Sequence, residues 1–122
     1  MKKVQTTKAP AAIGPYSQAI VVNNMVYTSG QIPFRADGSL EDDPKLATNI
    51  IFKNIENILL EAGSSLNKVC KVNVYVTNIS HFGIINEEYA KYFSDPFPAR
   101  SLVEVSNLPK NAIMEIEVIA TL

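Results

Sequence analysis

Two periods of apolar spacing run along this chain. Ala19-Ile20-Val21-Val22 and Met25-Val26-Tyr27-Thr28-Ser29 are short runs of strand-forming residues separated by Asn23-Asn24. Asparagine tolerates positive φ, so the pair predicts a two-residue hairpin turn. Gly30-Gln31-Ile32-Pro33 ends the second run, and Ala36-Asp37-Gly38-Ser39 is a further turn. The period then becomes helical. Ala47, Ile51, Ile55, Ile58, Leu59 and Ala62 form one stripe. Asp43 precedes it as N-cap, Pro44 occupies the first helical position, where its missing N–H is not needed, and Gly63 is the expected stop.

Beyond the helix the period returns to two. Val69 to Thr77 alternates, with Cys70, Val72, Val74 and Val76 on an expected core face and Lys71, Asn73, Tyr75 and Thr77 on the other. Ser80 is the expected cap of a second helix with a buried stripe of Phe82, Ile85, Tyr89 and Phe93, ended by Asp95-Pro96. Arg100 to Val105 reads as a strand, Leu108-Pro109-Lys110-Asn111 as a connection, and Ile113 to Leu122 as the last strand. The last strand has one fully apolar face of Met114, Ile116, Val118, Ala120 and Leu122. This order predicts a single α+β domain over residues 1–122, with both helices on one face of a sheet. The opposite face mixes Tyr27, Val69, Tyr75, Ile113 and Ile119 with Lys71, Glu115 and Glu117. A half-apolar face without helices to cover it points to a subunit contact.

Composition narrows the function classes. The 122 residues carry 11 basic and 12 acidic side chains, a net charge of −1, with the basic residues spread along the chain. That argues against nucleic acid as a partner, which needs a clustered positive surface. The lone Cys70 can form no intrachain disulfide. Met1 to Thr7 lacks the apolar run of a signal peptide, and no stretch approaches the roughly 20 apolar residues of a membrane span. A cytoplasmic protein is the expectation.

One histidine and one cysteine do not make a zinc site, and Gly30 stands outside any phosphate-binding loop. Ser29 and Ser101 have only His81 as a conceivable base, and Cys70 is expected to be an inert buried thiol. Arg100 differs. Pro96 and Pro98 stiffen the approach to it, and a strand carrying its planar fork of donors suits a carboxylate. On pattern alone it competes with an ordinary salt-bridged arginine. Glu115 and Glu117 read equally as a solvated or interface-facing pair, Tyr16 as a turn tyrosine, and Asn86 as a helix-face polar residue.

Ala9-Pro10-Ala11-Ala12-Ile13-Gly14-Pro15-Tyr16-Ser17-Gln18, Thr28-Ser29-Gly30-Gln31-Ile32-Pro33 and Phe97-Pro98-Ala99-Arg100-Ser101 resemble the Rid family, also called YjgF. So do Val103-Glu104-Val105, Leu108-Pro109-Lys110 and Glu115-Ile116-Glu117-Val118-Ile119-Ala120. The resemblance spans essentially the whole chain. It implies a chorismate-mutase-like α+β fold, a mixed sheet with two helices on one face, and a homotrimer with clefts between subunits. It also implies hydrolysis of reactive enamines and imines (2-aminoacrylate with 2-iminopropanoate, 2-aminocrotonate with 2-iminobutanoate) to 2-oxo acids and ammonia, using no cofactor and no metal. Under it, Arg100 holds the substrate carboxylate and Glu115 positions the attacking water. Tyr16, Ser29 and Asn86 line or support the cleft, and Gly30 lies beside the ligand. Leu102 stands where well-studied family deaminases have a cysteine, so any thiol contribution is absent. That substitution leaves open a non-catalytic 2-oxo-acid sensor. An RNA-cleaving or translation-inhibiting role, a label also attached to the family, sits poorly with the balanced charge.

Overall fold

The computed structural model describes all residues from Met1 to Leu122. Its strands are β1 (Lys2–Val4), β2 (Ala19–Val22), β3 (Met25–Thr28), β4 (Val69–Val76), β5 (Ala99–Glu104) and β6 (Met114–Thr121). The helices are α1 (Pro44–Glu61) and α2 (Phe82–Tyr89). The hairpin between β2 and β3 turns on Asn23 and Asn24, at φ 51° and 59°, as the tolerance of asparagine for positive φ predicts.

Local chemistry sets the ends of α1. Asp43 accepts a hydrogen bond from the Leu46 N–H at 2.9 Å, with Pro44 in the first turn. At the other end Gly63 adopts φ +86°. Its N–H donates to the Leu60 carbonyl and that of Ser64 to the Leu59 carbonyl, so carbonyls the helix leaves free are satisfied. The expected stripe is buried from Ala47 through Leu59, together with Phe52.

The six strands form one sheet in the order β1-β2-β3-β6-β4-β5. All neighbouring pairs are antiparallel except β4 with β5, which α2 connects in parallel. Both helices lie on one face, as expected. There Ile51, Ile55, Ile58 and Leu59 of α1 and Ile85 of α2 share one apolar cluster with Val72, Val74 and Val76 of β4 and Met114, Ile116 and Val118 of β6. The other face is open. It carries Lys71, Asn73, Tyr75, Glu115, Glu117 and Ile119, half-buried, with Tyr27 exposed.

Three expectations are corrected. The pairing of β4 with β6 slips between Val69 and Lys71. This bulge turns Val69 into the core and leaves Cys70 exposed, where its thiol donates to the Ile119 carbonyl at 3.4 Å. Ser80 is not the cap ahead of α2. Asn78 caps a preceding 3-10 turn, its side chain accepting from the Ser80 N–H and hydroxyl. Phe82, the first residue of the short helix α2, stands out of the buried stripe, 46% exposed. Strand β1 has no counterpart in the sequence reading.

Ile55 sits fully buried between helix and sheet. Ile55→Ala should cost about 2–5 kcal/mol through lost transfer energy and the cavity left behind. The test is urea unfolding, with an unchanged m-value expected. A cost below about 1 kcal/mol would contradict the packing described.

Candidate functional site

The pleat of the sheet separates the candidate residues into two groups. On β5, Arg100 pairs with Val72 and Leu102 with Val74, both core-facing residues of β4. Arg100 and Leu102 therefore lie on the helix side. There Arg100 Nη1 donates to Asn86 Oδ1 at 2.6 Å. The guanidinium carbon lies 4.7 Å from the Tyr89 ring centre and 6.0 Å from that of Phe82. Three contacts from α2 thus orient the fork, while Leu102 packs against the edge of the core. Arg100 forms no ion pair within the chain; those present join Arg35 to Glu41, Lys53 to Glu56, and Lys45 and Lys91 to Glu88. An oriented cation with unused donors is an anion site in waiting.

The second group lies on the open side. Glu115 pairs with Tyr75, between the buried residues Met114 and Ile116. Its side chain folds over Gly30 so closely that a Cβ there would stand 1.9 Å from Glu115 Oε1. A side chain at position 30 would thus displace the Glu115 carboxylate. Partial burial raises the Glu115 carboxyl above the ordinary range, and the neighbouring Glu117 adds to this. Glu117 is itself anchored, accepting from the Tyr75 hydroxyl at 2.9 Å and the Asn73 amide at 3.2 Å.

Ser29 and Tyr16 border Gly30 through the backbone. The Ser29 hydroxyl donates to the Ser17 carbonyl and its N–H to the Gln18 carbonyl, so the loop carrying Tyr16 is tied to the end of β3. Tyr16 itself is exposed, its ring turned back over Gly14. Tyr16, Ser29, Gly30 and Glu115 thus cluster at one place, and Arg100, Asn86 and Leu102 at another across the sheet. A concavity of about 670 Å³ between Cys70, Phe93 and Phe97 contains none of them. No three metal-ligating side chains come together anywhere in the chain, and no helix is long and apolar enough to cross a membrane.

Several positioning residues escaped the sequence reading. Buried Gln18 accepts from the Thr6 N–H at 2.7 Å and donates to the Thr6 and Pro10 carbonyls, holding the segment before Tyr16 in place. Buried Glu88 joins Lys91 of the turn after α2 to Asn49 of α1, fixing the helix that orients Arg100. Neither role carries a local signal, because the Gln18 partners lie 8 and 12 residues back and the Asn49 partner of Glu88 is 39 residues away. Tyr89 was legible as a core residue, but the use of its ring face was not.

Residues 6–122 match the family described as Endoribonuclease L-PSP. A RutC family protein of Pyrococcus abyssi is 48% identical over 94% of this chain and 92% of its own. Reactive Intermediate Deaminase A of Arabidopsis thaliana, a chloroplastic protein, is 44% identical over 98% of this chain, which spans 65% of the plant protein. Among solved structures, Escherichia coli TdcF with bound serine superposes with a TM-score of 0.94 at 36% identity, covering 100% of this chain and 99% of its own. The chain belongs to the Rid family, also named for L-PSP, and has its fold.

The raised Glu115 carboxyl has a consequence for stability. A carboxyl that binds its proton more tightly in the folded state loses stability as pH rises from the unfolded value through the folded one. Glu115→Gln should therefore melt higher than the parent at about pH 7.5, with the difference shrinking as pH falls below about 4, where the unfolded parent also becomes protonated. Melting temperatures across that range check this. A glutamine variant less stable at the upper pH would contradict it.

Proposed function

We propose that this protein hydrolyses small 2-imino acids to 2-oxo acids and ammonia, in a cleft built between copies of the chain in a homotrimer. The observation that carries the reading is the Arg100 guanidinium, held in place by α2 with no acid to neutralise it. A planar, bidentate partner such as a carboxylate suits it. The serine bound by TdcF and the deaminase name of the plant relative point to the same small amino-acid-like chemistry.

The substrates are the imines formed when 2-aminoacrylate and 2-aminocrotonate tautomerise. Arg100 holds the carboxylate and leaves the C=N carbon exposed to water. Glu115 of a neighbouring copy, partly desolvated and with its carboxylate free of hydrogen-bonded partners in its own chain, takes a proton from that water. The water oxygen bonds to the imine carbon, and the nitrogen gains protons. The C–N bond then breaks as C=O forms, releasing ammonia. Because the imine carbon is already electrophilic, orientation and proton transfer suffice, and no strong protein nucleophile is needed. Ser29 and Tyr16 shape the wall beside Gly30, and Leu102 closes the floor on the Arg100 side.

The test supplies threonine with a pyridoxal-phosphate dehydratase and times 2-oxo-acid appearance with and without this protein. The expected result is acceleration that falls by about 10²-fold or more in Arg100→Ala. No acceleration, or acceleration that survives Arg100→Ala, would sink the reading. Tight 2-oxobutyrate binding without turnover would replace it with a sensor.

A further inference from the structure

The proposed carboxylate clamp rests on more than its own side chain: an aromatic ring lies beneath it. Tyr89 is 6% exposed, and its ring lies under the guanidinium, 4.7 Å from ring centre to Cζ. Its hydroxyl is buried and finds no hydrogen-bond partner. A buried phenol whose hydroxyl pairs with nothing is present for its ring, since an unpaired polar atom only costs stability. The ring is in turn wedged in an aromatic cluster, at 5.8 Å from Phe52 edge-on and 4.8 Å from Phe93. Packing on several sides leaves it one orientation.

Arginine has a long, rotamer-rich side chain, and ordering it on binding costs affinity. Two features remove that cost before ligand arrives. Asn86 takes one N–H of the fork, and the Tyr89 ring lies beneath the guanidinium carbon. The in-plane N–H groups that Asn86 does not use remain for a carboxylate. A flat cation on a flat ring also fixes the plane of the fork, and therefore the plane in which a bound carboxylate lies.

Building on the function proposed above, we propose that Tyr89 is a positioning residue, a π-platform that presets the plane of Arg100 so that a 2-oxo or 2-imino acid binds without reorganising the clamp. The ring face performs this role and the hydroxyl does not. The contribution falls on ground state and transition state alike, because the carboxylate is held in both. It therefore shows in KM rather than kcat.

The experiment compares the full-length parent with Tyr89→Phe, Tyr89→Leu and Phe93→Leu. Phe93 touches the same aromatic cluster but makes no contact with Arg100 among its ring interactions, so its variant reports loss of packing alone. Calorimetry with 2-oxobutyrate gives Kd, and the dehydratase-coupled assay gives KM and kcat. Tyr89→Leu should weaken binding and raise KM by about tenfold with kcat within about threefold. Tyr89→Phe should retain parental values within about threefold and melt no lower. Phe93→Leu should keep the parental Kd within about threefold, whatever its melting temperature. The platform is overturned if Tyr89→Leu binds like the parent, if Tyr89→Phe loses as much as Tyr89→Leu, or if Phe93→Leu shows the same loss of affinity. A parent that neither binds nor turns over its acids overturns the function itself, and the platform with it.

Discussion

The pleat of the central β4–β6 pair governs everything else in this molecule. Side chains alternate across a strand without exception unless a bulge intervenes. In the paired stretch from Lys71 to Val76 no bulge does. Val72 therefore faces the helices and Tyr75 the open side. Their partners Arg100 and Glu115 inherit those opposite directions. One chain holds an oriented cation on one face and a partly desolvated carboxylate on the other. A small substrate spans a few ångströms and cannot reach both through a sheet, so chemistry that uses both residues calls for a second copy.

Each half of the proposed site is supported by rigid structure. Arg100 is on a strand, and α2, which orients it, is tied to α1 through Glu88 and Asn49. Glu115 lies mid-strand with Gly30 pressed against it, and the Gly30 loop is tied back through Ser29 and Gln18. The carboxylate is also a liability. Burial and the neighbouring Glu117 both disfavour its charge. Stability is given up where the proposed reaction wants a proton acceptor, as is common at functional sites.

Local signals were legible and relational ones were not. The ends of α1 could be read because Asp43, Pro44 and Gly63 act on their own helix. The Asn23-Asn24 turn was readable for the same reason. Cys70 was misplaced because a bulge is a property of two strands, and its one extra residue leaves no mark in the alternation of either. Strand β1 is three residues at a sheet edge, too short to show a period. The site residues were recognised through family motifs, not through spacing. That Arg100 and Glu115 face apart depends on the register of β5 on β4 and β4 on β6, which only the folded sheet displays.

Mixing two damaged proteins tests the composite site most directly. Arg100→Ala and Glu115→Gln chains, each inactive alone, would be unfolded together in equal amounts, refolded and assayed for imine hydrolysis. If each site takes Arg100 from one copy and Glu115 from another, random assembly leaves about a quarter of the sites intact, with activity to match. If the mixture stays as inactive as its components while the parent survives the same treatment, the two residues do not meet across copies, and the shared cleft is wrong.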